Sequence, residues 1–560
     1  MLVSVALAAM FSRPLLPAAP SARDRAPWLG ASLEAGQAAV PPVPGARIKS
    51  VWSCSPAFSA GLAPGDILLR VNGIPVETPA EVQAVISGLK SPARVELTVQ
   101  RGRRLMVVPA VLRERPNFAR NIGVVLAILV TVFTLLYATA LNRVAVVGCG
   151  AVLAVVLGTW LGFYTEESAF AAVRMGPLAL LLGLGLLVAG LEQTGFFEML
   201  AHKIGKLAQG DWRRMMVLLC IATFFLSAFV NNLTTVLVIL PITLRMTTQL
   251  GFDPRPFVVA EIVSSNLGGA SCMIGDFPNM LIASETGLQF HEFLLYMMPP
   301  CLILLVVTIA YMKYTRGGFQ VENHDRMVPA CEGAHSAGEM HPAQGKARAT
   351  RGEVLAVSSL VIAALLFCGR LGLPPATVTM AGGVVVLLLC SRAAPELLQK
   401  AGFADILFFA CLFVLVGGAE ASGLLDILGV ALLSLSGGSI LWFALLLMWG
   451  AAIVTAFLNA GPTAALFVPI VLGLGNSGPH GMFWWALSLG VCAGSSATVV
   501  GATAGPIALT KLREFLERTT AATGSPSPAT LTFAAYARSG VPLMLMFLVL
   551  SSAYVAMLSL

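Results

Sequence analysis

Charge is what this chain has least of. Of its 560 residues only 11% are Asp, Glu, Lys or Arg, against 57% apolar. Soluble domains carry about 25% charged residues, so an ordinary soluble globule is excluded. The net charge of +7 is distributed over short segments between apolar runs. It reads as membrane topology, and nucleic acid is not expected as a partner. No nucleophile elbow, HExxH motif or Walker loop occurs, which argues against an enzyme and calls for no cofactor. The ten cysteines lack CxxC metal spacing. Most (Cys149, Cys220, Cys272, Cys301, Cys368, Cys390, Cys411, Cys492) sit in apolar runs as small hydrophobes. Residues 2–10 are apolar, without a positive n-region or a clear cleavage site. A signal sequence and a mis-assigned start both fit residues 1–26.

What is present begins with a small domain at residues 27–113, richer in Pro, Arg and Glu. The stretch from Ser55 to Gly73 reads as short helix, turn, strand and Asn-Gly turn. Residues 79–89 form an amphipathic helix, and Val95–Gln100 alternates like a strand. These features resemble a bacterial PDZ domain. The resemblance implies that Leu29, Gly30 and Ala31 form the loop that caps a peptide carboxylate while the peptide adds a strand. A small β domain without peptide binding is the plainer alternative.

Beyond residue 120, nearly uncharged stretches of about 20 residues alternate with basic segments, the length needed to cross a hydrocarbon core of about 30 Å. Full spans fall near 122–141, 143–163, 176–195, 256–285 and 293–313, then 353–371, 374–391, 404–425, 483–511 and 540–559. Apolar segments near 215–245 and 437–470 are interrupted by polar or helix-breaking residues and read as re-entrant hairpins. The expected fold class is an all-α polytopic membrane protein behind a small α/β PDZ-like domain. Repeat 1 spans 122–313, a polar linker 314–352 and repeat 2 353–560.

Each half holds five spans and a hairpin, an odd number of crossings, so the halves run antiparallel. Self-similarity supports duplication. Leu191-Glu-Gln-Thr-Gly195 recurs as Ala419-Glu-Ala-Ser-Gly423, and Ala228–Thr235 as Ala456–Thr463, both at an offset of 228. Gly268–Gly275 recurs as Gly494–Gly501 at an offset of 226. Inverted repeats of this kind mark secondary transporters. Basic residues such as Lys203, Arg213, Arg214, Arg245, Arg255, Lys400 and Lys511 place one set of loops in the cytoplasm. The PDZ-like domain then lies outside it, although Arg113, Arg115 and Arg120 oppose that side. A bacterial inner membrane, or an organelle membrane derived from it, is the expected location.

Four polar interruptions carry the candidate chemistry. The first holds Asn231, Asn232, Thr234 and Thr235. The second holds Ser265, Asn266, Ser271, Asp276 and Asn279. The third runs from Asn459 to Thr463, and the fourth holds Ser495, Ser496, Thr498 and Thr503. Gly and Pro break helices there and free backbone groups, while Ser, Thr and Asn add hard oxygens suited to Na⁺ or donors suited to an oxyanion. The plainer reading, small residues that let helices pack closely, fits one interruption better than four related ones. Asp276 is the sharpest position, because an intramembrane carboxylate needs a partner, a cation or a proton. Its counterpart is Ala502. Glu192 and Glu420 form a symmetric pair, either coupling protons or capping interfaces, and Glu261 is a further proton-handling candidate. Seven metal-capable residues in the linker (His324, Asp325, Cys331, Glu332, His335, Glu339, His341) fit no regular pattern, and a flexible linker explains them better. No metal beyond transported Na⁺ is expected.

Leu191–Glu198, Ser227–Val236, Ser265–Ser271 and Gly275–Asn279 make residues 122–560 similar to the ion transporter superfamily, in its arsenite-permease, sodium/proton-antiporter and P-protein branch, which is citrate transporter-like. That resemblance implies a scaffold with a transport domain of two hairpins and two broken helices, moving like an elevator. Two departures matter: relatives commonly carry Asp at position 231, and Ala504-Gly505 stands where an Asn often follows. A PDZ-like domain joined to such a permease is similar to magnetosome ion transporters and their PDZ-bearing neighbours. The leading expectation is Na⁺/H⁺ antiport. Alternatives are efflux of arsenite or another small anion, a magnetosome-type ion transporter, and a PDZ scaffold or sensor with an inactive core. Expected partners are a small inorganic ion, the lipid bilayer, a peptide C-terminus and a second copy of the chain as homodimer.

Overall fold

Alternating apolar residues build the N-terminal sheet. In the computed structural model, residues 27–29, 31–35, 45–51, 56–63, 65–89, 93–102, 104–114, 118–138, 141–197, 199, 203, 207, 210–315, 351–474, 478–523 and 531–560 are described. The strands are β1 (Pro27–Trp28), β2 (Ala31–Ala35), β3 (Ala46–Val51), β4 (Ile67–Val71), β5 (Ile74–Pro75), β6 (Ala93–Arg101) and β7 (Arg104–Glu114), with α1 (Pro56–Ser59) and α2 (Pro79–Ser87) between them. The sheet order is β1-β7-β6-β4-β3-β2, with β5 on β4, and the pairs are antiparallel. One face of β6 (Val95, Leu97, Val99) meets Ile48, Leu68, Val82 and Ile86 in a buried core. The strand expected from the alternation of Val95–Gln100 is β6.

Buried Asp66 is held by Arg101 through two bonds of 2.7 and 2.8 Å, and the Asp66 carboxylate raises the Arg101 guanidinium above its ordinary value. Thr78 caps α2. Nearby, the Glu81 carboxylate accepts from the Glu77 N–H at 2.8 Å. That bond, with the Thr78 hydroxyl, holds Glu81 below the usual carboxylate range.

The rest of the chain is helical. The first half contains α3 (Phe118–Ala138), α4 (Arg143–Leu161), α5 (Glu166–Ala172), α6 (Met175–Gln193), α7 (Trp212–Phe229), α8 (Asn232–Leu250), α9 (Arg255–Ala270), α10 (Phe277–Thr286), α11 (Phe290–Tyr296) and α12 (Met298–Thr315). The second contains α13 (Arg351–Leu371), α14 (Pro375–Leu389), α15 (Ala394–Lys400), α16 (Phe403–Ala421), α17 (Leu424–Leu435), α18 (Ile440–Leu458), α19 (Ala460–Gly473), α20 (Met482–Ala497), α21 (Gly505–Thr523) and α22 (Phe533–Leu558). Among the described residues, 10 helices are long and apolar enough to cross a membrane.

They are not the ten spans expected. The segments 256–285 and 483–511 are broken helices, α9–α10 and α20–α21. The arms α7, α8 and α18 of the two expected hairpins are each of spanning length. The expected span 293–313 divides at Met297, because Pro299 and Pro300 fit only the first turn of a helix. The segment 374–391 yields a 15-residue helix. The last helix starts seven residues early, capped by Thr532.

Two compact units are formed. One comprises the described residues within 1–173, 411–438 and 466–477, and the other those within 174–410, 439–465 and 478–560. In the first, the Tyr164 hydroxyl donates to the Val414 carbonyl at 2.8 Å, and Cys411 of α16 reaches Gly148 of α4. In the second, α18 packs on α20, α20 on α22, α7 on α9, and α9 on α20. The four polar interruptions all belong to this second unit.

Candidate functional site

The first interruption separates α7 from α8. Val230 ends α7 in extended backbone. Asn231 then caps α8, its Oδ1 accepting from Leu233 N–H at 2.8 Å, a helix-starting role that Asn performs well. Asn232 is buried. Its Oδ1 accepts from the Ser227 hydroxyl at 2.6 Å, and Ser227 Oγ lies 3.0 Å from Ser265 Oγ on α9. Ser265 also reaches the Asn232 carbonyl at 3.3 Å. Thr235 donates to the Val230 carbonyl at 3.4 Å; Thr234 is half-buried.

Two glycines let these elements touch. A Cβ at Gly268 would stand 2.1 Å from the Phe224 carbonyl, and one at Gly269 would stand 2.3 Å from Asn232 Oδ1. No side chain fits either place. The same contact recurs in the second half, where a Cβ at Gly494 would stand 2.2 Å from the Ala452 carbonyl.

Between α9 and α10 the backbone leaves the helix for residues 271–276. Ser271 turns back to the Gly268 carbonyl at 2.6 Å. Asp276 caps α10, its Oδ1 accepting from Phe277 N–H at 2.9 Å, so the carboxylate faces the positive end of a helix. Its side-chain neighbour is Asn232. Asn279 is fully engaged: Nδ2 donates to the Ala270 and Cys272 carbonyls, both at 2.9 Å, and Oδ1 accepts from Ser488 of α20 at 2.6 Å. Asn266 is the opposite case. Its Nδ2 is buried without a partner among the described residues, while its backbone carbonyl meets the Cys492 thiol at 3.6 Å.

In the second half Asn459 ends α18 at φ 77, ψ 160, a region that is almost glycine-only. Its side chain donates to the Val500 carbonyl and accepts from the Thr503 hydroxyl, both at 3.3 Å. Thr463 returns to the Asn459 carbonyl at 2.9 Å. Thr498 donates to the Ala456 carbonyl at 2.6 Å and accepts from Gly501 N–H at 3.0 Å. Ser495 and Ser496 turn to carbonyls of their own helix, Val491 and Cys492.

Two clusters thus emerge. One is Ser227, Asn232, Ser265 and Asp276; the other is Asn459, Thr498 and Thr503. Ser488 and Cys492 of α20 bond to residues of the second interruption. Neither segment 264–279 nor the other three interruptions contain Lys, Arg or His, and Asp276 has no ion-pair partner among the described residues. The remaining candidates stand apart. Glu192 pairs with Lys400 at 2.5 Å on an exposed surface, beside a Gln193–Glu396 bond of 3.1 Å. Glu420 lies in the other unit and is half-buried. Glu261 is buried on α9.

In the PDZ-like domain Leu29 is buried and its carbonyl accepts from Ala57 N–H at 2.8 Å. Ala31 opens β2, while Gly30 lies outside the described residues. So do residues 1–26 and linker residues 316–350, including the seven metal-capable side chains. Sequence reasoning overlooked Ser227 as a site residue, although it stood in a quoted motif. It overlooked Ser488 too, whose only signal is its position two helical turns before Ser495.

The apolar helices make the chain a multi-pass integral membrane protein behind a small N-terminal sheet domain. The PDZ domain profile matches residues 47–101, and the profile described as citrate transporter matches residues 124–490. The chain belongs to the citrate transporter family. It is 36% identical to the magnetosome protein MamN of Magnetospirillum gryphiswaldense over 78% of this chain and 99% of that one. An uncharacterized transporter of Mycobacterium tuberculosis, Rv2685, is 32% identical over 76% and 97% of the two chains. The P protein of Homo sapiens is 27% identical over 58% of this chain and 48% of its own length.

Proposed function

We propose that this protein is a cation/proton antiporter, exchanging Na⁺ for H⁺, with its ion site at the meeting of α7, α8, α9 and α10. One observation carries the reading: Asp276 stands at a helix break beside Asn232, without a cationic partner among the described residues, in segments devoid of Lys, Arg and His. A carboxylate so placed calls for a cation or a proton. Ser227, Ser265, Asn232 and freed backbone carbonyls supply hard oxygens for Na⁺. Asn279, Thr498 and Asn459 hold the breaks open.

The recurrence of the glycine–carbonyl contact at Gly268 and Gly494 supports two repeats related by duplication. With the odd number of crossings expected in each half, it favours opposite orientations and an elevator-like movement of the unit that holds the site. The PDZ domain, with β2 at the end of its sheet, offers an edge for a peptide C-terminus and is placed outside the cytoplasm on the basis of loop charge.

A second reading has its own support. The N-terminus of α8 and the unbonded Asn266 Nδ2 supply donors that would suit arsenite or another small oxyanion. Likeness to MamN favours a magnetosome-type setting for either ion. Proteoliposomes with an enclosed pH dye separate the two. Na⁺ pulses should move protons, and Asp276→Ala should abolish the signal. Proton silence together with uptake of labelled arsenite into inverted vesicles would overturn antiport.

A further inference from the structure

One buried carboxyl takes no part in the site above. Glu261 on α9 is 1% exposed and lies four residues before Ser265, about 6 Å along the helix axis. Its Oε1 accepts from the Thr243 hydroxyl of α8. Its Oε2 is buried with no partner among the described residues, and so are the hydroxyls of Ser264 on α9 and Thr223 on α7. The Cys220 thiol of α7 lies beside Ser264 and within electrostatic reach of Glu261.

The other faces offer no counter-charge among the described residues: on α7, Arg213 and Arg214 are exposed, and on α9 itself Arg255 pairs with Asp253 at 2.7 Å. On α8, Thr247 closes on the Thr243 and Leu244 carbonyls, and Arg245 is exposed. The remaining elements packed on α9 are α12, α20, α21 and α22. Their buried titratable groups are the thiols Cys301 and Cys492 and the phenol Tyr536. Of their charged groups, Lys511, Arg513, Glu517, Arg518 and Arg538 are exposed, while Lys313 and Glu514 are half-buried, Glu514 pairing with Lys511. None of these bonds to Glu261 among the described residues.

A lone carboxylate in such surroundings is costly to desolvate and takes up a proton or a cation. Cation coordination is disfavoured here. Neither α7 nor α9 has a Gly or Pro at this level, the carbonyl that Pro241 leaves unpaired on α8 is that of Leu237, further back along the helix than Thr243, and hydroxyls alone are too few for a hard cation that takes about six oxygens.

We propose that Glu261 is a second proton-binding site, separate from Asp276 and one helical turn away from Ser265. The proton adds to Oε2, Thr243 fixes Oε1, and the unpaired hydroxyls of Ser264 and Thr223 are the next groups able to accept and pass it on. This inference rests on the antiport reading for its role in coupling, but proton binding itself can be tested independently.

The test uses the full chain, wild type beside Glu261→Gln, which keeps the shape and the Thr243 bond, and Glu261→Asp. In proteoliposomes, proton-driven Na⁺ flux should fall about a hundredfold in Glu261→Gln, a typical cost of losing a proton carrier. Na⁺/Na⁺ exchange, which moves no net proton, should stay within about twofold, and Glu261→Asp should restore part of the coupled flux. Coupled flux in Glu261→Gln with the wild-type pH profile would overturn the proposal. Absence of proton movement in the wild type would defeat the antiport reading alone. In that event, infrared difference spectra during a pH step decide the matter: the wild type should show a protonated-carboxyl band that Glu261→Gln lacks, and identical spectra would refute the site.

Discussion

Ser488 of α20 donates to Asn279 Oδ1 of α10 at 2.6 Å across 209 residues of sequence. Because Asn279 also bonds the Ala270 and Cys272 carbonyls at the α9 break, this pair ties the break of one half to the broken helix of the other. Replacing Asn279 by Leu strands two buried carbonyls and the Ser488 hydroxyl. A loss of about 2–4 kcal/mol is expected, against about 1 kcal/mol for Ser488→Ala. Thermal unfolding in detergent measures both, and equal losses would contradict the assignment.

Asp276 has two roles that substitutions can separate. Asp276→Asn keeps an oxygen to cap α10, so the fold should hold while cation-driven transport disappears. Asp276→Ala should in addition lose about 1 kcal/mol of stability with the cap. Transport that survives in Asp276→Asn would mean that the charge is dispensable.

The contact of Gly269 with the Asn232 amide leaves no room for a methyl group. Gly269→Ala should push Asn232 away from Ser227 and Asp276, lower stability by about 1–3 kcal/mol and reduce ion affinity more than Gly123→Ala, where a Cβ meets nothing within 4 Å. Ion binding by isothermal titration is the readout.

Asn459 is held in a glycine-like conformation by its bonds to Val500 and Thr503. Asn459→Gly relieves the backbone and loses the bonds, whereas Asn459→Ala loses the bonds and keeps the strain. The Ala variant should therefore be the less stable by about 1–3 kcal/mol, as judged by unfolding temperature.

In the PDZ domain, Glu81 sits below the usual carboxylate range because the Glu77 N–H and the Thr78 hydroxyl bond to it. Its contribution to α2 is complete above that ordinary range and fades as pH falls through the lowered value. Hydrogen exchange of α2 amides should quicken over that acid window in the wild type. In Glu81→Gln the acceleration should be absent.

Much of this was legible in the residues. Scarce charge and runs of about 20 apolar residues fixed the membrane class, since unpaired backbone in lipid tolerates little but helices. Asn-Asn, Gly-Gly and Gly-Asp motifs located the breaks for a local reason: these residues cap helices, approach backbones or free carbonyls. Local reading failed where proline was ambiguous. The last span, expected from residue 540, starts at Phe533 as α22, which continues through Gly540 and Pro542 with Gly540 pressed against the Ala497 carbonyl. The pair Pro299-Pro300 lay unnoticed inside a supposed span that it divides.

The sequence by itself determined that the chain crosses a membrane many times, that a PDZ domain precedes the helices, and that four polar interruptions break them. Only the tertiary structure decided which polar groups are spent and which remain free. Asn232, Asn266 and Asn279 look alike as residues in broken apolar helices. Yet one is bonded to Ser227, one keeps its amide unbonded, and one is saturated by Ala270, Cys272 and Ser488. Hydrogen bonding depends on distances between helices far apart in sequence, and no local pattern encodes them.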